Sequence, residues 1–433
     1  MTQTVQTSLI FLAMVVAFVA AYRFFRLSTI LSMLAAGLAG ALVSGVGIRE
    51  SIHHLVEGSF TFFNIALIIL TGTLFVEIQK ESGALDALVR ALIIRFHRYQ
   101  RVLLVILMFL IILPGALTGP GASGVIALGG LVAPVLLHMG MPLPRVVAFV
   151  AMGGVLGDIA PPINIPAMII SAGINMPYAG FFMPLAILTV ILGVASALFI
   201  GARHVKGPVD LKTVLESLTP VPAGMKGMRV VAPLIVFIGL MVAVRLFPYY
   251  LPPLGVPLMF LIGAAVALVL GGKAKDLPRI SSLVVRKTLP VVGILVAVGP
   301  VVQVMSLTGV KGLFVLTAVT VPLTVLYGAL FIGLPLSGSI LGTFGAASIL
   351  GIPFMLALLG RDPIIATIGL SLISALATLT PPTALTGKAA AMVTGYGGDY
   401  GTVFRKCLVP WLWIDALGLL LVIFADALRW LEI

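Results

Sequence analysis

Apolar runs about as long as the roughly 20 residues needed to cross a bilayer recur near 8–22, 27–48, 58–77, 176–201, 230–247, 255–272, 313–335 and 408–428, and each predicts a membrane-spanning helix. Four further stretches, 114–134, 153–166, 337–353 and 374–387, are equally apolar but punctured by Gly and Pro. A helix interrupted at membrane depth bares N–H and C=O groups that lipid cannot satisfy, so such breaks are expected only where they line a protein-walled cavity or bind something. At 83–100, Leu85, Leu88, Val89, Leu92 and Ile93 share one helical side while Arg90, Arg95 and Arg98 can reach headgroups, which predicts an interfacial arm helix. Residues 203–229, with Arg203, His204, Lys206, Asp210, Lys212, Glu216, Lys226 and Arg229 among Gly207, Pro208, Pro220 and Pro222, read as a cytoplasmic linker between two halves.

Composition agrees with this pattern. Of 433 residues 61% are hydrophobic and 9% charged, with a mean hydropathy of +1.23, which excludes a soluble enzyme or a disordered scaffold. Cys407 is the only cysteine, so a disulfide-stapled module is excluded too. The net charge of +12 does not point to nucleic acid, because the basic residues cluster in short segments beside apolar runs. These are Arg23/Arg26, Arg90 to Arg101, Arg203 to Arg229 and Lys273 to Lys287, the distribution of cytoplasmic loops. With the N-terminus outside, Arg23/Arg26 fall inside, His53/His54 outside and the 90–101 cluster inside. No cleavable signal is expected, since residues 1–7 carry no basic residue.

The halves resemble each other. Leu117, Gly119, Ala127, Leu131 and Pro134 recur 219 residues later as Leu336, Gly338, Ala346, Leu350 and Pro353. At an offset of 220, Gly140 matches Gly360, Leu156 matches Leu376, and Pro161-Pro162 falls on Pro381-Pro382. The second counterpart of the basic arm, near 303–320, holds only Lys311, so the copies are expected to face opposite sides of the membrane as inverted repeats.

The breaks carry the candidate chemistry. Pro114 to Gly124 and Pro335 to Thr343 read as tips of helical hairpins, where Gly frees carbonyls and Thr118, Ser123, Ser337, Ser339 and Thr343 add oxygens suited to a hard cation. The alternative is a small-residue packing seam. Each Pro pair should unwind its span, and a helix restarting after Pro162 or Pro382 would turn free N–H groups toward an anion. Asp158, three residues before Pro161, is an ionisable group at membrane depth, read as a cation ligand or proton carrier, or else as a carboxylate held by helix-end N–H groups. Lys388 is a candidate for a substrate carboxylate or for Asp158, with snorkelling to the interface as the alternative. His138 is expected to be a packing residue, with no His or Cys at ligand spacing for a transition metal.

In length, hairpin tips and Pro-Pro breaks, nearly the whole chain resembles the large membrane subunit of tripartite ATP-independent periplasmic (TRAP) transporters, DctM-like members of the ion transporter superfamily. The resemblance implies an all-α polytopic protein of two inverted repeats with re-entrant hairpins and broken helices, moving as an elevator. It also implies sodium-driven import of an organic acid at a bacterial inner membrane, with a small membrane subunit and a periplasmic substrate-binding protein as partners. Carried onto this sequence, it places cation sites at Gly119, Ser123, Gly154 and Gly157, and at Ser339, Gly342, Thr343, Ser374, Thr378 and Thr380, to which Asp158 is added on its own reading as a cation ligand. The helix starts freed at the Pro pairs, together with the Lys388 ammonium, make Pro161, Pro162, Asn164, Pro381, Pro382, Thr383 and Lys388 the candidate substrate contacts. Asp158 upstream of the first Pro pair, Ile163 after it and Thr383-Ala384 after the second depart from the family pattern.

The organisation expected is a first half at 1–202 (arm 83–100, hairpin 114–138, broken helix 144–172), the linker at 203–229, and a second half at 230–433 (hairpin 335–358, broken helix 364–392, C-terminal helix). No cofactor is expected beyond the coupling ion, Na+ or alternatively H+. A stand-alone organic-anion carrier of the same superfamily, without a binding protein, is the second reading. Gly121-Ala122-Ser123-Gly124 also resembles the nucleophile motif of rhomboid proteases, but no histidine falls on a well-separated span to act as its base, so no enzyme is expected. An ATP-driven pump with its motor on this chain is excluded because no G-x-x-x-x-G-K-[ST] loop is present.

Overall fold

In a computed structural model, residues 3–205, 211–252, 254–358 and 360–432 are described. Lys206, Gly207, Pro208 and Asp210 of the expected linker lie outside them. Among the described residues there is no strand, and nine helices are long and apolar enough to cross a membrane. The chain is a multi-pass, all-α membrane protein.

The first half runs α1 (Thr4–Phe24), α2 (Thr29–Val43), α3 (Ile48–Ser59), α4 (Phe63–Glu81), α5 (Ala84–Phe96), α6 (Gln100–Thr118), α7 (Gly121–His138), α8 (Leu143–Ile159), α9 (Ile165–Gly173) and α10 (Phe182–Gly201). A short α11 (Leu211–Ser217) follows. The second half runs α12 (Met228–Leu246), α13 (Val256–Leu270), α14 (Leu277–Leu307), α15 (Val310–Thr320), α16 (Leu323–Ala357), α17 (Pro363–Thr378), α18 (Leu385–Val393) and α19 (Tyr400–Ile423). The peptide bonds Pro161-Pro162 and Pro381-Pro382 are cis.

Two groups of helices result. In one, α14 packs along α2, α3 and α4, with α1 beside α2, α13 beside α4 and α12 beside α13. Phe75, Phe237 and Phe260 fill its interior, with ring centroids 4.2 Å apart for Phe237 and Phe260. In the other, α8 sits at the centre against α6, α10, α18 and α19, while α17 packs on α9 and α19. Every residue of α8 from Val146 to Ile159 is buried, and so is all of α17 from Ile365 to Ala377. By contrast α1 exposes Leu9, Leu12 and Val16, and α12 exposes Ile235, Ile238 and Val242. An apolar helix buried all round is a core element, whereas one with bare aliphatic flanks in a chain of this hydropathy meets lipid.

Both hairpins turn on a glycine with positive φ, Gly119 (94°) and Gly342 (76°). Their arms come so close that a Cβ on Gly115 would lie 3.4 Å from Gly121 Cα, and one on Gly338 would lie 3.2 Å from Ala346 Cβ. The tip glycines are 223 residues apart, which sets the hairpin register one helical turn away from the offset of 219 read in the sequence. In the structure Gly338 therefore stands where Gly115 does: Gly115 packs on Gly157, and Gly338 packs on Ala377.

Several elements differ from the sequence expectations. The hairpins begin earlier than 114 and 335, since α6 and the start of α16 are their entering arms. The expected span 313–335 divides at Val321-Pro322, where proline brings no N–H to continue the ladder. His53 and His54, between the expected spans 27–48 and 58–77, lie on a further helix, α3. The 31-residue α14 was hidden because Arg279, Arg286, Lys287, Pro290 and Pro300 break its apolar run. Two of those cations are answered by α4: Lys287 Nζ lies 2.6 Å from Glu77 Oε1, and Arg279 pairs with Glu81. The arm helix α5 is present, and Arg90 donates to Leu215 O (3.0 Å), Leu218 O (2.7 Å) and Thr219 O (3.1 Å), tying the arm to the C-terminal end of α11.

The tightest crossing in the first group is α3 against α14, where a Cβ on Gly58 would lie 2.7 Å from Pro300 Cα and one on Gly299 would meet Gly58 O. Gly299→Val should therefore lower stability by about 1–3 kcal/mol through overpacking. Gly239→Ala on α12, with open space around it, should be neutral or slightly stabilising. Thermal loss of monodisperse protein in detergent checks both; equal melting of Gly299→Val and wild type would contradict the packing.

Candidate functional site: a cavity between two hairpin tips

The sequence of each tip forces the chain to reverse, and the Pro pairs force α8 and α17 to stop beside those tips. Ile163, just after the first pair, donates its N–H to Ala116 O (3.2 Å), and Thr383, just after the second, donates to Ser339 O (3.3 Å). Ala116 and Ser339 are 223 residues apart, like the tip glycines. Each break is thus stitched to its own hairpin.

Asp158 closes the arrangement. It ends α8, is 1% exposed, and accepts the Gly121 N–H at the start of α7 through Oδ1 (2.6 Å). Its Oδ2 accepts the Thr378 hydroxyl (3.0 Å), which also lies 2.9 Å from Ala375 O. Thr378 occupies the position of Asp158 in the second half, 220 residues on, so the two breaks meet through side chains at equivalent positions. Gly121 has no room for a side chain, since a Cβ there would meet Gly154 O and lie 2.9 Å from Asp158 Oδ2. Asp158 makes no ion pair among the described residues, and the groups bonded to its carboxyl are an N–H and a hydroxyl dipole.

A cavity of about 220 Å³ opens beside this carboxylate. One wall comes from the tips and breaks, with Asp158, Gly342, Thr343, Thr378, Thr383 and Thr386, and the facing wall from Thr29, Val291 and Ile294 of the first helix group. The hydroxyls of Thr343 and Thr386 are buried and have no hydrogen-bond partner among the described residues. Oxygens from one carboxylate and several hydroxyls, unencumbered by a basic side chain, form a donor set for a hard cation. A second cavity of about 190 Å³ lies across the first tip, lined by Thr118, Ser123, Glu77 and Lys287 among others.

The structure sorts the sequence candidates. Asp158, Gly342, Thr343, Thr378 and Thr383 line the first cavity, and Ser123 lines the second. Gly119 makes the turn and packs against Ile163 and Ile165. Gly154 and Gly157 admit the close approach of α7 and α6. Ser339, Ser374 and Thr380 donate to backbone carbonyls of their own helices at 2.6 Å, 2.8 Å and 2.8 Å, and Thr380 also accepts the Trp411 indole N–H (3.2 Å). Asn164 is fully buried as the N-cap of α9, accepting from Ala167 N (2.9 Å) and donating to Ser371 Oγ (3.0 Å) and Ile159 O (3.3 Å). Pro161 and Pro162 are half-buried, Pro381 and Pro382 exposed, and none of the four lines the cavity. Lys388 does not reach Asp158; it is exposed and donates to Pro382 O (2.7 Å). His138 is held by Pro134 O (2.7 Å).

Thr29, Thr386 and the Glu77–Lys287 pair were not singled out in the sequence, and Gly121 was named there only in the tip and its protease-like motif, not as a partner of Asp158. Thr386 follows the second Pro pair within one helical turn and carried that signal; Thr29 and Glu77 carried none, because only the packing of the first helix group brings them to the tips.

No curated protein matches the chain by sequence. The fold is similar to two solved structures. One is that of the YdaH transporter of Alcanivorax borkumensis, described as revealing an unusual topology (TM-score 0.62, 16% identity, covering 88% of this chain and 89% of that one). The other is that of Neisseria gonorrhoeae MtrF, described as illuminating a class of antimetabolite efflux pumps (TM-score 0.61, 16% identity, covering 89% and 86%). At that identity they establish the shared fold. The family model described as the DctM component of tripartite ATP-independent periplasmic transporters matches residues 4–428, nearly the whole chain, and the protein belongs to that family of membrane transporters.

Proposed function

We propose that this chain is the permease subunit of a TRAP transporter that imports a small organic anion, a carboxylate such as a C4-dicarboxylate or a sugar acid, across a bacterial inner membrane on a sodium gradient. The observation that supports this reading most is the meeting of two hairpin tips and two broken helices at one cavity, lined by Asp158, Thr343 and Thr386, the last two with buried hydroxyls that have no partner among the described residues. Sodium bound there would offset the Asp158 charge and join the two halves through Asp158 and Thr378. The site so ordered would then accept an anion.

The reading includes the two halves as inverted repeats, the group around α8 and α17 as the moving part, and the group around α14 as the scaffold. The cavity walls come from both groups, so a displacement of one against the other would open the site to alternate sides. A small membrane subunit and a periplasmic binding protein would deliver the substrate. No chemistry on the substrate is part of the reading. Asp158, alone among dipoles, also supports a second reading, a stand-alone carrier coupled to protons.

In proteoliposomes, labelled organic acids should enter under an inward sodium gradient only when the small subunit and a cognate binding protein are added. Uptake by the chain alone under a proton gradient would establish the second reading. Asp158→Asn should raise the half-saturating sodium concentration by about tenfold or more, as expected for loss of a charged ligand; unchanged sodium dependence would remove Asp158 from coupling. Thr343→Val and Thr386→Val should each weaken sodium activation by roughly three- to tenfold. Thr380→Val, whose hydroxyl is already engaged away from the cavity, should not. The ranking is read from sodium titrations of initial uptake rates.

A further inference from the structure

The second cavity holds a feature that sodium coupling leaves unused. Glu77 of α4 and Lys287 of α14 form an ion pair of 2.6 Å on its wall, with the Glu77 side chain 8% exposed and that of Lys287 35% exposed. Lys287 is the only basic side chain on the wall of either cavity among the described residues. The two cavities share Pro120, Ala122, Val291 and Leu385, so they flank the same hairpin tip, and Val291 lies one helical turn from Lys287 on α14. Each is smaller than the roughly 300 Å³ at the lower end of small-molecule sites, while together they fall within that range.

We propose that Lys287 is a substrate-positioning residue that binds a carboxylate of the transported anion from the scaffold side of the first hairpin tip. This rests on the organic-anion reading above. An ammonium group has three N–H donors, and among the described residues Glu77 is the one partner of Lys287. Lys287 therefore need not leave Glu77 to take a carboxylate, and Glu77 stays paired throughout. Glu77 fixes where the ammonium sits and offsets its charge, so the site attracts an anion by geometry and hydrogen bonding instead of trapping any anion by net charge. Thr118 and Ser123 of the tip line the same cavity, so an anion held by Lys287 would lie beside the hairpin in which Gly121 binds Asp158. Anion and cation would then share one structural element from its two sides.

The test is uptake kinetics in the complete reconstituted system, with a labelled C4-dicarboxylate, a labelled sugar acid and the uncharged amide of whichever acid is transported. Lys287→Met alone would strand Glu77, so the main variant is Glu77→Gln/Lys287→Met. Its control is Glu81→Gln/Arg279→Met, which removes the neighbouring ion pair that lines neither cavity. The expected result is a rise in KM for the acid of about tenfold or more in the main variant, from loss of a charged hydrogen bond. Half-saturation by sodium should be unchanged, Lys287→Arg should retain part of the affinity, and the control should match wild type. An acid KM within twofold of wild type, or an equal loss of acid and amide transport, would overturn the proposal. Wild-type uptake of neither acid would overturn the organic-anion reading and this inference together, whereas normal wild-type uptake with an unaltered variant overturns this inference alone.

Discussion

Every unwound residue in a membrane interior must find a partner for its N–H and C=O, and in this protein the breaks supply partners to one another. The first Pro pair stops α8, and the chain beyond it donates Ile163 N–H to Ala116 O in the first hairpin. The second stops α17, and Thr383 N–H goes to Ser339 O in the second hairpin. Lys388 Nζ takes Pro382 O and Tyr400 OH takes Leu379 O, so carbonyls around the second break are used as well. The first tip's own free N–H, at Gly121, is met by Asp158. Satisfying these groups fixes where each tip lies against each broken helix, and so fixes the cavity.

Small residues make that stitching possible. Gly115 against Gly157 and Gly121 against Gly154 bring α6 and α7 onto α8 at backbone contact, which is the only way the Gly121 N–H can reach a carboxylate at the end of α8. The second half uses Gly338 against Ala377 and puts a hydroxyl, Thr378, where the first half has Asp158. The site is therefore built from matching geometry and unlike chemistry. The first half contributes a carboxyl and the second contributes Thr343, Thr378 and Thr386, so a single carboxyl lies among neutral oxygens. Such a set suits a monovalent cation better than a group of several carboxylates would.

The fold class was legible because hydropathy and Gly/Pro punctuation are local signals: the Pro pairs, the tip glycine Gly119 and Asp158 could all be read from the chain. What was illegible depended on rotation and partnership. Asn164, Ser374 and Thr380 belong to the right segments, but their helices turn them into caps and backbone bonds away from the cavity, and no spacing rule predicts that angle. The hairpin register was read four residues off because small apolar residues match in several alignments, whereas the positive φ of Gly119 and Gly342 admits one. The helix α14 was missed because Lys287 and Arg279 look like loop residues until Glu77 and Glu81 are placed opposite them.

The central claim is that the two hairpin tips form one cation-ordered site through Asp158 and Thr378. Amide hydrogen exchange at residues 119–124 and 340–344, measured in sodium and in an equal concentration of choline, tests it most directly. The account predicts that sodium slows exchange at both tips together and over the same concentration range. Sodium-independent exchange at both tips, or protection of one without the other, would contradict it.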